Sequence, residues 1–207
     1  MISPLARSVL LLSLAAPAAA QDAPLTSSNF SLYGGVRTGG RLTDTATGKA
    51  VVVDEHASFA LALDLALDPG RQTEIFFSHQ KSALSAEGLA AGSDRVPISI
   101  DYLHIGGTSF FGRSIAGPYV VGGIGAARAK PDFGGLRSAT RLSMNLGVGY
   151  LLALGAGLEA RFEARGYGIL MNSEGGLFCG GDSGCVISVS GDALYQTEFL
   201  LGLSGRF

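Results

Sequence analysis

Four charged residues alternate in sign at every second position of one segment: Glu159, Arg161, Glu163 and Arg165. Residues spaced by two share one face of a β-strand, whereas a helix would scatter the same charges around its circumference. The planar guanidinium group of arginine can donate two parallel hydrogen bonds to a carboxylate on a neighbouring strand. The pattern therefore predicts a strand with one ion-pairing face.

The two cysteines, Cys179 and Cys185, lie in the glycine-rich segment 178–185. Glycine gives the backbone the freedom that a small ring needs, so we expect a disulfide that shapes a loop tip. Its stabilisation should fall toward the low end of about 2–4 kcal/mol, because the closed loop is short. A reactive or metal-binding pair is the alternative. With only two cysteines and three histidines, we expect no metal site and no cofactor.

The histidines raise the question of hydrolytic chemistry. Ser78 and His79 are adjacent, so on one strand they would face opposite sides and could not pair directly. His56 falls in a predicted loop, and His104 is expected inside the fold or at an interface. We therefore expect no catalytic residues and no enzymatic activity.

The first twenty residues have the features of a cleavable signal peptide. Arg7 precedes a short apolar run at 9–16, Pro17 ends it, and three alanines at 18–20 form the cleavage site before Gln21. An uncleaved anchor is the alternative, but the run is too short for about 30 Å of hydrocarbon. We divide the chain into a signal peptide (1–20), a short periplasmic lead (21–28) and one domain (29–207). The mature chain would enter an oxidising compartment.

The composition is rich in glycine and poor in charge. There are 31 glycines, and charged residues make up 15% against a usual share of about 25%. Hydrophobic residues reach 47%, yet no ordinary membrane-helix segment stands out. The formal net charge of −2 leaves no basic footprint, so we expect no nucleic-acid partner.

Two-residue periodicity is the main secondary-structure signal of the mature chain. It predicts eight strands, and the facing of the fourth and fifth is ambiguous because both are rich in β-branched residues and glycine. The best rival is a helix over 142–158, but this stretch alternates and holds four glycines. The eight predicted strands cover residues 30–37, 58–67, 72–80, 98–109, 117–128, 141–152, 158–167 and 194–207.

The connections alternate between long and short. Short links fall at 68–71, 110–116 and 153–156, and long polar loops at 40–55, 81–96, 129–139 and 169–192. Outer-membrane barrels have this asymmetry, with short periplasmic turns and long outer loops. An open sheet edge in lipid would leave backbone groups unpaired, so the strands must close. The prediction is an all-β, eight-stranded antiparallel up-and-down transmembrane barrel. A water-soluble barrel with an apolar interior is the alternative.

The last strand ends in an aromatic residue. Phe207 shares one face with Phe199, Leu201 and Leu203, which resembles the assembly signal that the barrel-insertion machinery reads. The chain from 29 to 207 resembles the OmpA-like and opacity-type small outer-membrane β-barrels. The segments that carry the resemblance are YVVGGIG at 119–125, NLGVGY at 145–150 and EARFEARGY at 159–167. The resemblance implies an architecture and hardly a function.

The inward faces of the predicted strands carry balanced charge. An eight-stranded barrel is just wide enough to be filled by its own side chains, so mutual pairing suits this set better than an ion path. The predicted lumen network has five cations, Arg37, Arg141, Arg161, Arg165 and Arg206, and five anions, Asp64, Glu74, Glu159, Glu163 and Glu198.

These features predict an integral protein of a Gram-negative outer membrane. Its expected role is structural or surface-binding, through long extracellular loops above a side-chain-plugged lumen. A narrow channel or a passage for small apolar molecules is the alternative, and a lipid-modifying enzyme is a third. The expected partners are outer-membrane lipid, the insertion machinery during assembly and an unidentified extracellular ligand.

Overall fold

A computed structural model describes residues 24–44, 50–85, 95–132, 137–170, 176–180, 184–190 and 193–207. The predicted signal peptide and the first three residues of the predicted lead lie outside these ranges. Among the described residues, no helix has the length and apolar character needed to cross a membrane.

Twelve strands follow one another along the described chain, eight of them long and four short. The short strands are β2 (Arg41–Asp44), β3 (Ala50–Val53), β10 (Gly176–Gly180) and β11 (Gly184–Ser190). The long strands are β1 (Asn29–Thr38), β4 (His56–Asp68), β5 (Arg71–Ser85), β6 (Arg95–Phe110), β7 (Gly117–Pro131), β8 (Ala139–Gly155), β9 (Leu158–Leu170) and β12 (Ala193–Arg206).

The eight long strands form a closed antiparallel barrel. β1 pairs with both β4 and β12, and the ring continues through β5, β6, β7, β8 and β9 back to β12. Every long strand therefore has a partner on each side, and the barrel has no free edge. The predicted eight-stranded up-and-down barrel is confirmed, and the rival helix over 142–158 is wrong because that stretch forms β8, a turn and the start of β9.

Alternate residues face opposite sides of the barrel wall. On β9, Arg161 and Arg165 are fully buried in the lumen, whereas Phe162 between them is 50% exposed on the outer surface. On β8, Leu146 is 72% exposed and the adjacent Asn145 is buried. An apolar exterior around a charged interior is the reverse of a water-soluble barrel, so that alternative is wrong.

The structure shows which side chains face the lumen on β6 and β7, the two strands whose facing was ambiguous in the sequence. β6 turns Tyr102 and His104 into the lumen and Leu103 outward, and β7 turns Tyr119 inward and Ile124 outward. Their alternation was hidden in the sequence because both faces of these strands carry large apolar or aromatic side chains.

Two of the predicted long loops contain strands. β2 and β3 pair within the region 40–55, and β10 and β11 pair within 169–192. β2 also pairs with β11, and β3 pairs with the end of β5. The barrel wall therefore continues beyond the lipid-facing part as one sheet extension, where the sequence had predicted polar loops.

The opposite end, which we call the turn end, is closed by short turns and by residues 24–28. The carbonyl oxygen of Pro24 accepts a hydrogen bond from the Ile115 amide (2.8 Å), and that of Leu25 accepts one from the Gly70 amide (3.0 Å). Between β8 and β9, residues 155–157 all have positive φ, and two of the three are glycine. Tight turns at this end hold the long strands in register.

Candidate functional site

Arg165 is a lumen cation that is bonded to two carboxylates, Glu74 and Glu163. Its Nη1 and Nη2 donate to Oε1 and Oε2 of Glu74 at 2.9 and 2.7 Å, and its Nε donates to Glu163 Oε2 at 2.6 Å. Its guanidinium carbon lies 3.8 Å from the ring centroid of Phe76. β9 thus reaches across the lumen to β5 through a two-pronged, charge-assisted contact.

Arg161 makes a second bridge across the lumen, nearer the turn end. Its Nη1 donates to Asp64 Oδ2 at 2.6 Å and to the Tyr33 hydroxyl at 3.2 Å. Both charged side chains are fully buried. This contact joins β9 to β4, so two arginines of one strand hold two strands of the opposite wall.

Glu163 lies between these two arginines and accepts three hydrogen bonds. Tyr33 and Tyr119 donate to its Oε1 at 2.9 and 2.6 Å, while Arg165 donates to its Oε2. A buried carboxylate is costly unless its lone pairs are satisfied, and here both oxygens have partners. The tyrosines come from β1 and β7, so three strands meet at this group.

A second cluster surrounds Glu198 on β12. Arg37 Nη2 donates to Glu198 Oε1 at 3.1 Å, and Ser78 Oγ donates to the same oxygen at 3.0 Å. Tyr167 donates to Glu198 Oε2, and Arg37 also donates to Ser78. The guanidinium carbon of Arg37 lies 4.7 Å from the Tyr102 ring centroid, a cation–π distance. This cluster lies in the lumen on the side of Arg165 that is farther from the turn end.

Glu159 occupies the turn end of the lumen. Asn29 Nδ2 donates to its Oε2 at 2.5 Å, and Gln72 Nε2 donates to Asn29 Oδ1 at 2.7 Å. Arg206 is half-buried, with its Nη1 3.8 Å from Glu159 Oε1. Polar contacts therefore run from the turn end to the Glu198 cluster.

Arg141 departs from the predicted charge set. It has the inward parity of Ser143 but is only partly buried, and it makes no ion pair with a residue that the structure describes. The ion pairs instead join four cations (Arg37, Arg161, Arg165, Arg206) with five anions (Asp64, Glu74, Glu159, Glu163, Glu198). The predicted charge balance is therefore corrected to an excess of one anion in this network.

The network predicted from sequence did not include its neutral members. The sequence contains an indication of two of them, because Tyr167 shares a strand face with Arg165, and Tyr33 shares one with Arg37. The missed residues are Asn29, Tyr33, Gln72, Ser78, Tyr119 and Tyr167.

The histidines have separate surroundings. His79 lies on the outer face with its Nδ1 2.5 Å from Asp101 Oδ1, while Ser78 faces the lumen. His104 Nε2 lies 2.8 Å from Ser143 Oγ, and its Nδ1 has no hydrogen-bond partner. Within the described ranges, no cluster of three or more His, Cys, Asp or Glu residues could hold a metal ion.

The remaining predicted residues lie in the sheet extension and along the outer face of β12 to the end of the chain. Cys179 and Cys185 are directly opposite each other in the ladder of β10 and β11. Residues placed opposite in an antiparallel pair have Cα atoms about 4.5–5.5 Å apart, within the range that a disulfide spans. The residues of the predicted assembly signal, Phe199, Leu201, Leu203 and Phe207, are all exposed.

Comparison with known proteins gives similar structures only. No protein-family model and no curated protein matches the chain. The Neisserial surface protein NspA is 12% identical, with 86% of this chain and 97% of that chain covered and a TM-score of 0.49. OprG of Pseudomonas aeruginosa is 11% identical (88% and 97% covered, TM-score 0.47), and Ail of Yersinia pestis is 13% identical (87% and 99%, 0.46).

The membrane assignment follows from the chain's own surface. Leu, Ile, Val and Phe side chains cover most of the outside of a barrel that has no free edge, and its buried charged residues face the lumen. A closed sheet with an apolar exterior satisfies every backbone group without water, which hydrocarbon requires. The chain is an integral β-barrel of the outer-membrane type.

Proposed function

We propose that this protein is a non-conducting outer-membrane barrel with a structural or surface-binding role at its extracellular end. One observation carries the proposal: two fully buried arginines of β9, Arg161 and Arg165, are bonded across the lumen to carboxylates of the opposite wall. A side chain held in this way occupies the path that an ion would take.

The ion pairs are costly to open. Separating Arg165 from Glu74 would leave two buried charges apart from each other, and leaving a buried charge without its partner is costly, about 3–5 kcal/mol when one partner is removed. Thermal opening of such a contact is therefore rare. This favours a permanent plug over a freely conducting pore.

A dry layer lies beyond the polar network, on the side of the sheet extension. Its apolar side chains are buried and offer no hydrogen bonds to water, so they support a second barrier to ions. The buried Ser82, opposite Ile98, donates its hydroxyl hydrogen to the Asp54 carbonyl oxygen. The apolar inward-facing residues of this layer are Val51, Val53, Leu84, Val96, Ile98, Ile100, Ile169 and Leu194.

The sheet extension supplies a surface for binding. β10, β11, β2 and β3 pair in sequence and join β5, so two of the predicted outer loops form one structured wall. The predicted disulfide between Cys179 and Cys185 would fix the end of this wall. A preorganised surface loses less conformational entropy on binding than free loops do.

Passage of small apolar molecules is a second candidate, which the dry layer itself favours. Its apolar lining would accept such a molecule and reject ions. Cells that express the protein should then take up a small apolar fluorophore faster than cells without it. Leu194→Asp, which places a charge in the layer, should abolish the gain.

Conductance in a planar lipid bilayer tests the proposed plug. The wild-type barrel should show little current, with insertion verified in parallel by resistance to protease and by heat-dependent gel mobility. A steady current typical of a wide porin would reject the plug.

A further inference from the structure

Three cations lie close together on the outer face of β5, β6 and β7. Lys81, Arg128 and Lys130 are exposed, and each has the outward parity of its strand. In the strand registers Lys81 is opposite Ser99, and Ser99 is opposite Lys130. We call Lys81, Arg128 and Lys130 the rim cluster.

The registers fix the spacing of the rim cluster. Neighbouring strands are about 4.8 Å apart, so the Cα atoms of Lys81 and Lys130 are about 10 Å apart across Ser99. Arg128 precedes Lys130 by two residues on the same face, which is about 7 Å along the strand. Long side chains at these positions can converge on one group of phosphate size above Ser99.

The rim cluster begins where the apolar exterior ends. Phe77, Leu103 and Ala126 form one outward-facing row across the same three strands. The next outward row toward the sheet extension contains His79 and Asp101, which bond each other, together with Arg128. Lys81 and Lys130 follow in the row after that. This order places the cluster at the level of lipid headgroups.

No described residue forms an ion pair with the rim cluster, although Asp101 lies opposite Arg128 in the ladder of β6 and β7. Lys81, Arg128 and Lys130 have no ion pair or hydrogen bond between their side chains and the part of the chain that the structure describes. The nearest carboxylate along the register, Asp101, is engaged by His79. The exposed Asp132 lies beyond Lys130, farther from the apolar belt.

We propose that the rim cluster binds the phosphate groups of a glycolipid in the outer leaflet. Each Lys or Arg near a membrane surface contributes attraction to anionic headgroups, and phosphate oxygens accept charge-assisted hydrogen bonds from both side chains. The apolar wall below the cluster would contact the acyl chains of the same molecule. A soluble anion would lack this second contact.

Lipid retention by the purified barrel, measured by native mass spectrometry in detergent, tests the proposal. The probe is bisphosphorylated lipid A, compared with lipid A from which both phosphates have been removed. Lys81→Gln/Lys130→Gln removes two cations of the rim cluster. Arg71→Gln/Arg113→Gln is the matched control, because it removes two exposed cations at the turn end.

The wild type and the control should retain the phosphorylated lipid, and Lys81→Gln/Lys130→Gln should bind it at least about tenfold more weakly. Equal retention of the dephosphorylated lipid would overturn the proposal, as would wild-type affinity in the rim variant. An equal loss in the control would show nonspecific attraction and also overturn it. Displacement of the lipid by millimolar inorganic phosphate alone would identify a free-anion site instead.

Discussion

The phenol ring of Tyr119 lies over Gly149 on the neighbouring strand. The two residues are opposite each other in the ladder of β7 and β8, and a Cβ atom at Gly149 would overlap the ring. Tyr33 has the same relationship with Gly202 across β1 and β12. Both tyrosines extend from these glycines to the same oxygen of Glu163. Glycine on the inner wall therefore makes room for the hydroxyl donors of the buried carboxylate.

Replacing Gly149 by alanine should destabilise the barrel. The added methyl group would displace the Tyr119 ring and weaken its bond to Glu163, and overpacking of this kind costs about 1–3 kcal/mol. The free energy of unfolding in urea, measured in lipid vesicles, tests this. Gly34→Ala is the matched control, because a Cβ atom there would meet nothing within 4 Å. Equal losses in both variants would contradict the explanation.

Arg165→Ala should lower the unfolding temperature strongly. The change leaves Glu74 and Glu163 without their shared cation, and removing one partner of a buried pair costs about 3–5 kcal/mol. Thermal unfolding followed by circular dichroism in detergent measures the effect. Arg113→Ala, at an exposed turn, should unfold close to the wild-type temperature. A wild-type unfolding temperature for Arg165→Ala would remove the basis of the plug.

Arg141→Ala distinguishes the structure from the charge set predicted from sequence. Arg141 has no ion pair among the described residues, whereas Arg161 is bonded to Asp64. The Arg141→Ala variant should therefore lose much less thermal stability than Arg161→Ala in the same detergent. Similar losses would return Arg141 to the network.

Cys179 and Cys185 should be bonded in the mature protein. Their opposite positions in β10 and β11 give the backbone spacing that a disulfide needs. Denatured protein should take up no thiol label without reductant, and two labels per chain after reduction. Two labels in the unreduced sample would show that the cysteines are free.

Deleting Phe207 should reduce membrane insertion more than deleting a loop residue. The amide of Phe207 donates to the Ser28 carbonyl oxygen at 2.9 Å, and its exposed ring completes the apolar face of the last strand. The yield of folded protein in the outer membrane measures the effect. Deletion of Gly88, in the outer loop predicted from sequence at 81–96, is the control. Equal yields would argue against Phe207 as part of an assembly signal.

Strict alternation made the barrel predictable. β9 was recognisable because its charges and its apolar residues separate cleanly onto two faces, and β12 and β8 follow the same rule. In a membrane barrel this separation reflects two different media, lipid and lumen, so it persists along a whole strand. Closure then followed from the need to pair every backbone group in lipid.

The sheet extension was less predictable because only a few residues alternate in each of its strands. β2 and β3 have four residues each, and their pairing with β11 and β5 joins distant parts of the chain. The partners of each arginine were also beyond the sequence. Whether a side chain faces the lumen depends on its position in its own strand. Which carboxylate it meets there, such as Asp64 for Arg161, depends on the registers of several strands around the barrel.

The long separation of the lumen partners links the two halves of the chain. Arg161 and Asp64 are 97 positions apart, and Arg165 and Glu74 are 91 positions apart. An N-terminal fragment would carry its carboxylates without these arginines, and a C-terminal fragment would carry the arginines without these carboxylates. Neither half can neutralise its inner wall by these contacts alone. Insertion should therefore be a concerted event, in which charge neutralisation and ring closure occur together.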